Sequence, residues 1–415
     1  MGGVKPPDPD EMLERVMALP VVARVADRLG AEFTPRVALV GGAVRDLLLG
    51  GPVVDIDLAV EGDVDAVVSR LGAEVRAHDR FGTATLVLAG AQVDLAATRR
   101  ERYVRPGALP DVEPASLEED LGRRDFTVNA IAVPLTGEGR GAVLAVPEAL
   151  EDLEHRRLRV LHHGSFEDDP TRLLRMARYA ARLGFELEPA TRQLVERAVA
   201  EGALSTVSGP RLGNELRLIA TEPDPITPWD LLRDWGMDEA IAPGFGLRDP
   251  GLAARAVGML PPDGAPEVVV LALAVAGMSS EGSAVLLDRL GFPADLRDPV
   301  LRVAGRSAHV AEVLTTAQAA SEIARVIEEG RGEGTVELAA VAGALGPEGP
   351  ARLWLERLRH VRLEIDGDDL VAEGIDQGPA IGVGLAAARA AALDGDAETR
   401  AEQLEVALRA AQGAG

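Results

Sequence analysis

"VALVGGAVRDLLLGGPVVDIDLAVEGD", from Val37 to Asp63, decides how the chain begins to fold. "VALV" is a short apolar run, Gly41 and Gly42 form a tight turn, and "AVRDLLL" carries apolar residues at helical spacing. "DIDLAV" then resumes a strand with two aspartates at its head. Residues i and i+2 of a strand point to one face, so Asp55 and Asp57 project together. Two carboxylates that close repel unless a cation lies between them, and Mg2+ accepts such oxygen ligands. A strand that ends in two solvated acids satisfies the same pattern. The glycines weigh toward a site. They let the backbone approach a ligand, a helix N-terminus offers N–H groups to phosphate, and Arg45 falls in the first helical turn. Phosphates beside metal-binding carboxylates suit phosphoryl or nucleotidyl transfer. The strand "QVDLAAT" adds one further acid, Asp94, which an ordinary half-buried strand position also explains.

Composition bounds the rest. A chain of 415 residues exceeds what one core organises, so two to four domains are expected. There is no cysteine, which excludes disulfides and thiolate metal sites. No run of eighteen apolar residues and no signal-like start is seen, so no membrane partner and a cytoplasmic location are expected. The net charge of −24, with Lys5 the only lysine, argues against nonspecific nucleic-acid binding, and no DNA partner is expected. Between His155 and Arg217, however, eleven arginines face eight acids, whereas the last hundred residues are acidic. A polyanion would bind in the middle. Oligomeric state is not legible.

Along the chain, residues 9–31 read as helices interrupted near Pro20. From Val37 to about Pro147 strand runs alternate with helices. "RRERYVRPGALPDVEPASL" (Arg99–Leu117), with three prolines and almost no periodicity, is expected to be an irregular, mobile loop. Beyond Leu150 the β signal fades, and after Glu222 the chain reads as all-helical. "EEDLGRRDFTVNAIAV" places Arg123, Arg124 and Asp125 before an apolar return to the sheet, with Asn129 following. Adjacent arginines are common on solvated faces. In "DDPTRLLRMAR", Asp169, Arg172, Arg175 and Arg178 are three apart and share a slowly drifting helix side, as a salt-bridged basic stripe also would.

Taken together, "GGAVRDLLLG…DIDLAV", "RRDFTVNAIA" and "FEDDPTRLLRMARYAARLGF" resemble the class II tRNA nucleotidyltransferase and bacterial poly(A) polymerase family over about Val37 to Ile219. "LEIDGDDLVAEGIDQGPAIGVGLAAARAAALDGDAETRAEQL" resembles, more weakly, the tail of its bacterial tRNA members. The resemblance implies an α/β nucleotidyltransferase head domain, a mixed sheet with helices, followed by all-α neck, body and tail domains. The expected limits are an N-terminal helical extension over 1–34, head 35–150, neck 151–222, body 223–300 and tail 301–415. It implies template-independent addition of C and A residues to the tRNA 3′ end from CTP and ATP, with release of pyrophosphate. Two Mg2+ ions would sit on Asp55 and Asp57, with Asp94 as a third catalytic acid. Gly41, Gly42, Arg45 and Arg124 would hold the triphosphate.

Base choice follows from hydrogen-bond inventory. A carboxylate only accepts and a guanidinium only donates. Cytosine and adenine both present an amino donor beside a ring-nitrogen acceptor, so Asp169 would take the amino hydrogen and Arg172 would donate to the ring nitrogen. Guanine and uracil reverse that pattern, at about 1–3 kcal/mol per unmet buried group. Arg175 and Arg178 would reach the triphosphate or close the pocket. Many family members carry Glu-Asp where this chain has Asp168-Asp169, which leaves Asp168 without a clear contact to the base. Arg211 and Glu215, one helical turn apart, would brace the neck. No histidine is needed, and His78-Asp79 lacks the partners of a metal-dependent phosphohydrolase pair. In the tail, the turn "EGIDQGPAIG" reads either as a plain helix connection or as backbone N–H groups offered to a tRNA phosphate. Complete CCA addition is the favoured product. A-adding, CC-adding and poly(A) activities share the motifs, and an inactive RNA-binding module is the reading from a different class.

Overall fold

The computed structural model describes residues 6–78, 82–329 and 334–413, and the chain divides into two compact units, Met1–Ser208 and Gly209–Gly415. In the first unit, α1 (Pro9–Met17) and α2 (Pro20–Leu29) are separate helices because Pro20, which has no N–H to donate, starts the second. A seven-stranded sheet follows, built from β1 (Arg36–Val40), β2 (Asp57–Glu61), β3 (Glu74–His78), β4 (Thr83–Leu88), β5 (Ala91–Ala97), β8 (Ile131–Pro134) and β9 (Leu144–Ala145), in the order β3-β4-β5-β2-β1-β8-β9. β2 runs parallel to β5 while the other neighbours pair antiparallel, which is the mixed sheet expected. Its central strands bury Val37, Leu39, Leu58, Val60, Leu86 and Leu95. Between β1 and β2 lies α3 (Gly42–Leu49), and after β2 comes α4 (Val64–Leu71). The turn into α3 needs glycine: Gly41 has φ +70° and ψ −132°.

Residues expected to form an irregular loop are instead partly a two-stranded ribbon, β6 (Arg99–Arg102) against β7 (Asp111–Pro114). An exposed cross-strand pair, Arg100 with Glu113 at 2.7 Å, stands where the apolar alternation that would have made the ribbon legible is missing. Its connecting segment is docked: the Gly107 N–H donates to the Glu167 carbonyl at 3.1 Å, and a side chain at Gly107 would overlap Thr206. The chain then passes through α5 (Leu117–Gly122), β8, β9 and α6 (Ala149–Glu154). β10 (Arg157–Leu158) pairs with β11 (Glu186–Leu187). Around this pair lie α7 (Ser165–Asp168), α8 (Thr171–Leu183) and α9 (Pro189–Ala200). Asp152, fully buried, ties this region to the sheet side by accepting from Thr127 Oγ1 at 2.7 Å and from Arg159 Nε at 2.9 Å.

The second unit is helical among the described residues, from α10 (Gly209–Ala220) to α22 (Arg400–Gly413). No described helix is long and apolar enough to cross a membrane. Two of its helices, Pro266–Val275 and Thr335–Leu345, are apolar on all sides and correspondingly buried. α10 lies against the C-terminal end of the helix Ser280–Arg289 without intervening side chains. A Cβ at Gly209 would overlap the Arg289 carbonyl, and one at Gly213 the Leu290 carbonyl. Arg217, one turn further, donates to the Gly291 carbonyl at 3.2 Å and covers the Phe292 ring. This small-residue face explains why α10 packs with the second unit. Gly213→Ala is expected to destabilise the protein by about 3 kcal/mol, because a backbone carbonyl cannot swing aside. Urea unfolding of the variant beside wild type measures the loss.

Candidate active site

The ladder between β2 and β5 continues one residue before β2, where the Asp94 N–H donates to the Ile56 carbonyl at 2.9 Å. Ile56 is buried, so Asp55 and Asp57 on either side of it are exposed. Asp57 stands opposite Asp94 in the parallel register, and Asp94 stands opposite Thr85. Although part of the residue meets solvent, neighbouring protein atoms strip water from the Asp57 carboxyl and push it up; the charge of Arg124 pulls it down, those of Asp94 and Asp55 push it up again, and the net direction is upward. Among the described residues, neither the Asp55 nor the Asp57 carboxylate takes part in a hydrogen bond or ion pair. Asp94 differs, since it accepts from Thr85 Oγ1 at 2.6 Å and from Gln92 Nε2 at 2.9 Å. A cleft of about 360 Å³ is lined by Asp57, Asp94, Thr85, Asp120, Arg123 and Arg124, among others.

This donor set fits a divalent cation completed by substrate. Among the described residues no group of three or more carboxylates and histidines gathers closely enough to enclose a metal ion. Mg2+ is commonly held by one or two carboxylates together with substrate phosphates, and keeps waters for the rest. Asp55 and Asp57 have the required charge and no competing donor. Asp94 adds negative charge beside them while its own oxygens are engaged.

Arg124 connects the acids to the glycine turn. Its Nη2 donates to Asp120 at 3.1 Å, its buried Nε has no hydrogen-bond partner, and its Nη1 is where a Cβ on Gly41 would press at 2.9 Å. Arg45 also reaches the turn, with Nη2 3.4 Å from where a Cβ on Gly42 would stand. Unlike a free phosphate ligand, however, Arg45 is 3% exposed and committed. It donates from Nε and Nη2 to the two oxygens of Asp46 at 2.8 and 3.1 Å, and from Nη1 to Asn129 at 2.6 Å.

The residues expected to read the base lie at the start of α8. Asp169 Oδ1 accepts from the Thr171 N–H at 3.0 Å and from Thr171 Oγ1 at 2.7 Å, which orients its carboxylate at the helix entry. Arg172 is buried, donating from Nη1 to Ser165 Oγ at 2.6 Å and from Nη2 to the Arg123 carbonyl at 2.8 Å. It is thereby tied to the segment that borders the acidic cleft. Arg175 holds Asp125, with Nε at 3.0 Å from Oδ2. Burial pushes the Asp125 carboxyl up, but the charge and hydrogen bonds of Arg175, with Asn129 and the Phe126 N–H, outweigh it and hold it below the ordinary range. Arg178 lies over the Tyr179 ring. Asp168 stands 3.7 Å from His162, whose imidazole is shifted down chiefly by burial.

Sequence reasoning missed Asp120, Ser165 and both tyrosines of the chain. Tyr103 donates to Glu101 at 2.8 Å within electrostatic reach of Arg172 and Asp169, and Tyr179 sits on α8. In a chain with 3% aromatic residues, one tyrosine in the Arg99–Leu117 stretch and one in the motif around α8 were the available signal. Asp79 lies outside the described residues. Arg211 and Glu215 share α10, and the tail turn from Glu373 to Pro379 is largely exposed.

Residues 37–159 match the Poly A polymerase head domain. Among curated proteins, the chain is 35% identical to an A-adding tRNA nucleotidyltransferase of Geobacter sulfurreducens, over 97% of this chain and 48% of that protein. The chain thus spans about half the length of that relative. It is 32% identical to a Multifunctional CCA protein of Xanthomonas campestris, over 86% of this chain and 98% of that protein. Among solved structures, the Thermotoga maritima CCA-adding enzyme complexed with tRNA superimposes with a TM-score of 0.74 at 27% identity, over 98% of this chain and 99% of that one.

A native carboxyl shifted upward binds its proton more tightly than the unfolded chain does, so stability falls as pH rises from the ordinary value of 3.8 through the shifted one. Asp57→Asn removes that cost. Without metal at neutral pH the variant is expected to melt above wild type, the gap closing as pH falls below 3.8. Added Mg2+ should raise the wild-type Tm and leave the variant unmoved. Calorimetric melts with and without the ion check both.

Proposed function

The chain belongs to the tRNA nucleotidyltransferase family, and from that premise we propose that it adds C and A residues to the 3′ end of tRNA from CTP and ATP, without a template. One observation carries the reading: the Arg172 guanidinium is anchored on the Arg123 carbonyl, beside the cleft that holds Asp57 and Asp94. A pair fitted to the edge of cytosine or adenine and a pair fitted to cations and phosphates thus share one segment.

Asp55 and Asp57 hold the divalent cations, which when bound supply Lewis acidity and charge neutralisation at the reacting phosphate. Arg124 and the N–H groups at the glycine turn bind the triphosphate, with Arg45 fixing the turn from behind. Asp169 and Arg172 select the base, and the same pair accepts both C and A because their edges agree. The RNA 3′-hydroxyl oxygen forms a bond to the α-phosphorus, the bond from that phosphorus to the bridging oxygen breaks, the hydroxyl proton is lost, and pyrophosphate departs. The proposed layout is head 35–150, neck 151–222, body 223–300 and tail 301–415, with the tail turn meeting tRNA.

A second reading, addition of the terminal A alone, is favoured by the match to the Geobacter protein over nearly the whole chain. The deciding assay offers tRNAs that end before CCA, after C and after CC, with CTP or ATP separately. CTP is expected to extend the first two and ATP the third. Extension of the CC-ended tRNA alone, with ATP alone, establishes the A-adding reading instead. No incorporation at all supports an inactive binding module. In the same assay Arg172→Met is expected to narrow the preference for ATP over GTP by about tenfold, from the loss of one base contact.

A further inference from the structure

Asp120 lies in α5, one turn before Arg123 and Arg124, and its carboxylate is divided between them. Oδ1 accepts from Arg123 Nε at 2.9 Å and Nη2 at 2.7 Å, and from the Arg99 N–H at 3.2 Å. Oδ2 accepts from Arg124 Nη2 at 3.1 Å. The two arginines depend on this acid unequally. Arg123 also holds Glu101 and the Arg99 carbonyl. Among the described residues Arg124 makes that one hydrogen bond, although a guanidinium carries five N–H donors and its Nε is buried. Asp120, Arg123 and Arg124 line the cleft of about 360 Å³ that also holds Asp57 and Asp94. Asp94 has both oxygens engaged by Thr85 and Gln92, while the Asp57 carboxylate is unbonded among the described residues.

Resting on the cation site proposed above, we infer that Asp120 is a positioning residue, which keeps the Arg124 guanidinium beside the glycine turn and off Asp57. Arg124 is close enough for its charge to act on Asp57, yet no ion pair joins them. Within the cleft Asp57 is the acid whose oxygens are open, so a guanidinium released from Asp120 closes onto it. That pair would occupy the carboxylate a divalent cation needs and would draw positive charge away from Gly41. Neutralisation alone does not call for such an arrangement. A counter-charge need only be near, whereas Asp120 gives Arg124 one oxygen from one side and leaves Nη1 toward Gly41. Arg123 stays in place without this acid, since Glu101 and the Arg99 carbonyl still hold it. Asp120 thus acts on the cation site through Arg124.

Melts of the full chain without metal test this in the absence of any ligand. Asp57→Asn is placed in wild type and in Asp120→Asn, an isostere whose single acceptor oxygen Arg123 and the Arg99 N–H claim. It is expected to raise the Tm of wild type and to lose or reverse that gain in Asp120→Asn, where it breaks a new pair with Arg124. Calorimetric titration with Mg2+ gives a second readout. Asp120→Asn should bind the ion about tenfold more weakly than wild type, and Asp120→Asn with Arg124→Met should bind it within about twofold of Arg124→Met alone. Asp120→Ala accompanies the Asn variant so that one folded protein decides. An equal Tm gain from Asp57→Asn in both backgrounds, or a weakening of Mg2+ binding that persists once Arg124 is gone, overturns the inference. Failure of both Asp120 variants to fold overturns it too, since the acid is then structural. Incorporation is assayed separately. A wild type that binds no Mg2+ removes the proposed cation site and leaves the metal-free melts to judge Asp120.

Discussion

The site depends on one buried carboxylate. Asp120 is 1% exposed and accepts from Arg123 Nε and Nη2, from Arg124 Nη2 and from the Arg99 N–H. Charge-assisted bonds of this kind are strong in a low-dielectric place, and removing the carboxylate takes from Arg124 its hydrogen-bonded acid and from Arg123 one of two. Arg123, so held, presents its carbonyl to Arg172 and its Nη1 to Glu101 at the base of the β6–β7 ribbon. Arg124, so held, stands between Gly41 and Asp57. Ribbon and α8 are therefore tied to one of two adjacent arginines that share an acid, while the other stands beside the glycine turn within the field of Asp57.

The distribution of charge reconciles an acidic chain with the polyanionic substrate proposed for it. A net charge of −24 repels RNA at long range, yet salt screens that repulsion beyond about 8 Å at physiological ionic strength. What decides binding is the local field, and the arginines of α8 and of the segment before β8 concentrate there. Most are restrained by protein partners, which fixes their geometry before a ligand arrives. Asp55 and Asp57 are the opposite case, their carboxylates accessible and without hydrogen bonds or ion pairs among the described residues. Arginines wait in fixed positions, whereas the acids wait for charge.

Much of this was legible in the sequence, and what was not has a common cause. Strands β1, β2, β4 and β5 were readable because apolar runs and glycine punctuation are local signals. The alternation of Asp55, Ile56 and Asp57 was readable because a strand has period two, and Ile56 is indeed the buried member. The β6–β7 ribbon was not readable, since it lacks apolar alternation and its pairing partners lie nine to fifteen residues away across prolines. Arg45 looked like a phosphate ligand because sequence shows its place in the first turn of α3. It does not show that Asn129, 84 residues away, and the adjacent Asp46 occupy it. Asp120 and Ser165 carry no motif of their own, and their importance exists only once Arg123, Arg124 and Arg172 are folded onto them.

On the function proposed above, the same geometry would link a cation to the nucleotide. Without ligands, Arg124 is the positive charge that partly relieves Asp57 of burial and of its two acidic neighbours. A triphosphate at the glycine turn competes for that guanidinium, whose Nη1 already faces Gly41. As phosphate draws the charge of Arg124, Asp57 loses compensation just as further negative charge enters the cleft. Both effects would raise the affinity of Asp55 and Asp57 for a divalent cation. By reciprocity, a cation bound there raises the affinity of the turn for phosphate. On that function, a cleft arranged this way would favour joint over single occupancy, because one arginine lies within reach of both partners.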